Sequence, residues 1–157
     1  MRIIVMRHGK AEKEAACDAE RPLAKRGFEQ ARIMGRCFAR LGIRPDAIHT
    51  SPYRRARETA AAVLAEMGVN VDDVSETPLL TPGMDPARFL CDLDGECVLC
   101  FTHAPLCNAL VARCVGAPGT VTDLSTGAAC CVVSDHPAGR DGYIEWLFVP
   151  DAFPGKD

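Results

Sequence analysis

Ile3-Ile4-Val5-Met6-Arg7-His8-Gly9 decides how this chain is read. A short apolar, mostly β-branched run ends in a cation, an imidazole and a glycine. Such a run reads as a buried strand. In an open parallel sheet, ligands bind beyond the carboxyl ends of the strands. The pattern therefore sets a guanidinium and a titratable nitrogen where such a fold keeps its ligand. Gly9 is expected to let the backbone turn sharply and a ligand come close.

Working outward, strands and helices alternate. After strand one, Ile3–Met6, a helix is predicted over Lys25–Leu41, with Phe28, Ala31, Met34, Phe38 and Leu41 near one face. Ala47–Thr50 reads as strand two. Tyr53–Met67 reads as a helix with Ala56, Ala60, Val63, Leu64 and Met67 in a stripe. Gly42, Gly68 and Gly116 stand where helices end. An extended piece is predicted over Val74–Leu80 and a short helix over Pro86–Leu93. Cys97–Thr102 is strand three, followed by a helix over Pro105–Val115 with Pro105 at its first position. Ala128–Ser134 and Tyr143–Val149 read as two strands joined by a turn with Pro137, Gly139 and Gly142. The tail after Pro150 is expected to be loose. The order implies an α/β fold: a three-layer α/β/α sandwich whose mainly parallel sheet has an antiparallel edge.

Composition narrows the function classes. A chain of 157 residues is expected to form one domain, 1–157, that buries enough surface to fold without metal or disulfide. A net charge of -3 is too mild to argue for nucleic acid or a membrane surface. No apolar run approaches the ~20 residues of a membrane span, and Arg7 and His8 interrupt the N-terminal one at once. A cytoplasmic monomer is expected. The nine cysteines are odd in number and irregular in spacing, which argues against a disulfide framework. Cys97 and Cys100 match C-x-x-C, but residues three apart on a strand face opposite ways and could not clamp one metal. They read as small buried apolar residues.

Three strands end in polar residues: Arg7-His8-Gly9, Ser51-Pro52 and His103. If the strands are parallel, those ends share one edge of the sheet. Two histidines and at least two arginines then converge on one crevice. Arginine presents a fork of donors that matches phosphate oxygens. A neutral imidazole can attack phosphorus, and a second histidine can donate to an equatorial oxygen. Phosphoryl transfer needs mainly positioning and charge neutralisation, which this set supplies. His103 stands just before a helix, whose dipole is expected to lower its pKa. Of the Arg54, Arg55 and Arg57 cluster, helical geometry puts Arg54 and Arg57 on one side of the stripe. Arg55 falls on the other with Thr59, and geometry leaves open which side faces the crevice. His49 and His136 receive no role.

These pieces resemble the histidine phosphatase superfamily, with its phosphoglycerate-mutase-like fold, and within it the short SixA-type phosphohistidine phosphatases. The resemblance rests on Met6-Arg7-His8-Gly9, on Arg21-Pro22-Leu23 before Gly27, and on Ser51-Pro52 leading to Arg55-Ala56 and Thr59. Leu80-Thr81-Pro82 before Asp85-Pro86 and Thr102-His103-Ala104-Pro105-Leu106 complete it. It implies that His8 is a nucleophile that is transiently phosphorylated, and that Arg7, Arg55 and His103 hold the phosphoryl oxygens. Arg21 matches a basic position at the same mouth. Many relatives carry threonine where this chain has Ala24, so a hydroxyl cap of the next helix is missing. Larger members place a proton-donating glutamate in an insertion after the third strand region. Leu79-Leu80-Thr81-Pro82-Gly83 has no such glutamate and no room for a cap domain.

An alkoxide leaving group needs a proton, and general acid catalysis is worth about 10²–10⁴-fold. The imidazole of phosphohistidine leaves more readily. The expected activity is therefore metal-independent and cofactor-free hydrolysis of phosphohistidine on a signalling or phosphotransfer protein, such as a histidine phosphotransfer domain. Asp18, Glu14 and Glu20 are alternative sources of an acid. A small-molecule phosphomonoesterase is the alternative enzyme, and a silent phosphate-binding module the alternative without turnover. Phosphate, sulfate or tungstate is expected to bind among Arg7, His8, Arg55 and His103.

Overall fold

The computed structural model describes residues 1–153. Strand β1, Arg2–Arg7, has apolar side chains on both faces. Ile3 and Val5 pack to one side, Ile4 and Met6 to the other, and all four are buried. A strand buried on both faces must lie inside a sheet covered on both sides, and it does. Among the described residues the sheet has six strands in the order β3-β2-β4-β1-β5-β6. The others are β2 (Ala47–Thr50), β3 (Val74–Glu76), β4 (Cys97–Thr102), β5 (Ala129–Val133) and β6 (Tyr143–Phe148). The first four strands run parallel, and β5 and β6 add an antiparallel edge.

Helices α1 (Lys25–Arg40) and α2 (Arg54–Met67) cover one face through Ala31, Met34, Phe38, Ala60, Val63 and Leu64. On the other face lie α3 (Pro86–Cys91) and α4 (Leu106–Cys114), which bring Phe89, Leu90, Leu106 and Leu110 onto Ile3 and Val5. This is the expected α/β/α sandwich. Cys100 belongs to the second of these cores and Cys97 packs against the first, so the C-x-x-C pair does straddle the sheet. Gly42, Gly68 and Gly116 have φ of 67°, 68° and 70°, the left-handed turn that ends a helix.

Several boundaries differ from expectation. Leu41 is 52% exposed, because α1 stops at Arg40 and turns it outward, and Phe28 is only half-buried beneath Arg32. The extended piece after α2 is cut short at Glu76. Thr77 then caps a tight turn, Pro78–Leu80, by accepting from the Leu79 amide. Helix α3 ends at Cys91 rather than Leu93. Pro105 is the cap of α4 rather than its first residue. The segment after β6 is not loose: Pro150–Ala152 forms a turn, and Asp151 accepts from Arg26 and Gln30. The rest of that expected tail, 154–157, lies outside the described residues. No helix among the described residues is long and apolar enough to cross a membrane.

Candidate active site

Strand register brings the site together. Arg7 pairs with Thr102 across β1 and β4, and Thr50 pairs with Phe101 across β2 and β4. The three strands thus end level on one edge of the sheet. The His8 amide still bonds the Thr102 carbonyl at 2.9 Å, and the Ser51 amide bonds the Phe101 carbonyl at 3.0 Å. His8, Ser51 and His103 are the next residues out, and Arg55 follows in the first turn of α2.

His8 is buried, and both of its ring nitrogens are engaged. Nδ1 lies 2.7 Å from the Gly9 carbonyl oxygen, which can only accept, so Nδ1 carries the proton. Nε2 faces the Arg55 Nε–H at 3.2 Å and accepts from it, so its lone pair points into the site. Burial above all, joined by the charges of Arg55, Arg7 and Arg21 and opposed by the Gly9 carbonyl, brings the His8 imidazole from 6.5 down to about 4. The ring is neutral at about pH 7 and can act as a nucleophile there. Gly9 also serves close packing. A Cβ on it would stand 2.5 Å from the Gly27 carbonyl oxygen, so two glycines let the loop after β1 lie against the start of α1.

Arg55 resolves the choice left open by helical geometry. It is 4% exposed, while Arg54 and Arg57 face solvent and pair with Glu58 and Glu76. Its Nη1 donates to the Asp18 main-chain oxygen at 2.6 Å and its Nη2 to the Asp18 carboxylate at 3.1 Å. Arg21 also reaches Asp18, at 3.0 Å, and spends its Nε on the Glu12 carbonyl. Arg21 therefore meets the site through Asp18. Its hydrogen bond, with that of Arg55, holds the Asp18 carboxyl below the usual carboxylate range. A carboxylate kept ionised is a poor proton donor, which weighs against Asp18 as the acid.

His103 lies beside His8 with ring centroids 5.0 Å apart, and the Tyr53 ring meets its edge at 5.1 Å. Burial lowers its pKa to about 3, with the charges of His8 and Arg55 contributing next. The direction is the expected one, and burial is its largest cause. Arg7 reaches the same end of the sheet. Its Nη1 donates to the Leu124 carbonyl at 2.8 Å, and its buried Nε has no partner.

Two supporting residues receive no role from the sequence, Thr59 although it stands in a motif and Gln30 because nothing marks it. Thr59 Oγ1 donates to the Arg55 carbonyl at 2.7 Å and accepts from the Gly9 amide at 3.0 Å, joining helix and loop. Gln30 is buried in α1, where it accepts from the Lys10 amide and donates to Thr126 and Asp151. Its burial has no signal in an apolar pattern, since a glutamine there reads as surface. His49 packs its edge on Phe89 and His136 lies in an exposed turn near Asp141, both away from this cluster. Among the described residues no group of three or more His, Cys, Asp or Glu side chains could hold a metal ion.

Comparison with known proteins fits this geometry. The family model of the histidine phosphatase superfamily (branch 1) matches residues 3–77. The phosphohistidine phosphatase SixA of Escherichia coli (strain K12) is 31% identical over 159 aligned positions, which span 96% of this chain and 94% of that protein. The chain belongs to the histidine phosphatase superfamily. Within it the chain is of the SixA type. A structure of the protein histidine phosphatase SixA complexed with tungstate superposes with a TM-score of 0.87 at 29% identity, covering 97% of this chain and 99% of that one. The alpha-ribazole phosphatase from Shigella flexneri shares the fold at a TM-score of 0.74 and 17% identity, over 96% of this chain and 97% of that one. Only the turn Pro78–Leu80 and helix α3 stand between β3 and β4.

Proposed function

We propose that this protein is a phosphohistidine phosphatase that works through a phosphorylated His8. The observation that carries the reading is the state of His8: proton on Nδ1, lone pair on Nε2, and the Arg55 guanidinium against that lone pair. Nε2 attacks phosphorus, a bond forms from phosphorus to Nε2, and the bond to the substrate's imidazole nitrogen breaks. The departing imidazole takes a proton from water. Water then attacks the phosphorus of phospho-His8, releasing inorganic phosphate and restoring the neutral ring. Arg7, Arg55 and His103 donate to the phosphoryl oxygens as charge builds there, and Arg21 acts at the mouth of the site. Such preorganised donors are commonly the largest single contribution to catalysis.

The phosphoramidate substrate is supported by Asp18. The carboxyl group that contacts Arg55 is held ionised by two guanidinium groups, which makes it a poor donor to an alkoxide. An imidazole needs that help less. The SixA relative's name points the same way.

The test is to mix the protein with a radiolabelled phosphorylated histidine phosphotransfer domain and quench early. The expected product is protein-bound phosphate that is acid-labile and alkali-stable, absent in His8→Ala, with turnover that survives a chelator. Hydrolysis of small phosphate monoesters in clear preference to the phosphohistidine protein would assign the site to a phosphomonoesterase instead. Intact folding with neither activity would leave a binding module.

A further inference from the structure

We infer that Ser51 is a positioning residue that holds His103 as its Nδ1–H tautomer, ready to donate to an oxyanion. The inference deepens the proposed function, since it rests on His103 being an oxyanion donor.

The argument is one of hydrogen-bond accounting. Ser51 is fully buried at the end of β2. Its Oγ lies 2.8 Å from His103 Nε2 and accepts from the Tyr53 amide at 3.3 Å. A serine hydroxyl has one proton to give. Tyr53 offers an N–H and cannot take it, and the Ser51 proton has the His103 nitrogen in reach. If Nε2 were instead the protonated nitrogen, two buried groups would go unspent, the Ser51 proton and the Nδ1 lone pair, against a single unspent N–H in the other tautomer, and buried polar groups rarely carry such losses. The proton therefore runs from Ser51 to Nε2, and Nε2 is the acceptor.

A neutral ring has one N–H, so it belongs to Nδ1. That nitrogen is buried and without a partner. An unpartnered buried donor next to the His8 ring and the Arg55 guanidinium is what a bound oxyanion would satisfy. The chain is continuous: Tyr53 N–H to Ser51 Oγ, Ser51 O–H to His103 Nε2, His103 Nδ1–H to the anion. Burial keeps His103 neutral, so the tautomer and not the charge decides what the ring can do. The same rule governs His8, where the Gly9 carbonyl fixes the proton on Nδ1 for the opposite purpose, to leave Nε2 bare. The two histidines are thus oriented by two different neighbours into complementary roles.

The experiment is long-range ¹H–¹⁵N correlation spectroscopy of histidine-labelled protein, with His103 identified through His103→Asn. Wild type is expected to show His103 protonated at Nδ1 and bare at Nε2. Ser51→Ala should move the ring toward the Nε2–H form, and Ser51→Thr, which keeps the hydroxyl, should retain Nδ1–H. Tungstate titrated calorimetrically should bind Ser51→Ala roughly 10- to 100-fold more weakly, the scale of one hydrogen bond to a charged group. An Nε2–H tautomer in wild type overturns the inference, and so does Nδ1–H persisting in Ser51→Ala. An unchanged tungstate affinity in that variant overturns it too. If Ser51→Ala does not fold, the wild-type and Ser51→Thr spectra decide. None of these readouts needs turnover, so a protein that failed to hydrolyse phosphohistidine would still report on Ser51.

Discussion

Acid is expected to unfold this protein through its two site histidines. His8 and His103 are held at about 4 and about 3, against 6.5 for an unburied imidazole. Between those values and 6.5 the unfolded chain binds protons that the folded chain does not. Stability therefore rises with pH across that window and is lost as pH falls from 6.5 toward 4. From about pH 7 to about pH 5, each ring removes about 2 kcal/mol, because over most of that interval its unfolded form titrates and its folded form does not. The pair removes about 4 kcal/mol, a large part of the roughly 5–15 kcal/mol that holds a domain together. The result needs only that both folded-state values lie well under 5. Half-buried His49 shifts the same way and adds to it. Asp18, Asp46, Asp141 and Glu145 are shifted down, so what they contribute is lost only below their ordinary values of 3.8 and 4.5, outside this interval. The assay is urea unfolding at a series of pH values. His103→Asn should leave about half of the loss. A stability that changes by less than about 1 kcal/mol across the interval refutes the neutral, buried pair, and so does a full loss in His103→Asn.

Other outcomes follow from the same contacts. Arg55→Ala should lower phosphatase turnover by about 10²–10³-fold, the usual cost of one preorganised donor, with a folded protein by circular dichroism. Asp18→Asn removes the carboxylate that competes for Arg55 and leaves the main-chain contact in place, so calorimetry should show tungstate binding about two- to fivefold tighter; weaker binding contradicts this. Ala24 caps α1 in extended conformation with no side-chain bond, so Ala24→Thr should stabilise by about 1 kcal/mol and raise the melting temperature by about 2–4 °C.

The sheet edge was legible because the chemistry follows the strands in sequence. An apolar run that stops at Arg7-His8, and another that stops at Thr102-His103, can only place those side chains past the same edge once the strands are parallel. Arg55 was harder. The stripe separates it from Arg54 and Arg57, but helical spacing has no inside and outside when a buried face includes a guanidinium. Burial beside Asp18 and His8 supplies the answer. Ser51 was visible as part of a motif without a role, since a hydroxyl's partner is set by tertiary contact. The segment after β6 was misread because a lone acidic residue near a chain end usually meets only water, and Asp151 meets Arg26 and Gln30.

That last contact reaches further than its place near the chain end suggests. Gln30 uses one end of its amide to grip Asp151 and the other to hold the Lys10 backbone, two residues past the reactive imidazole. Shortening the polypeptide to the final strand would therefore slacken a brace under the nucleophile, without touching a single group that meets phosphate.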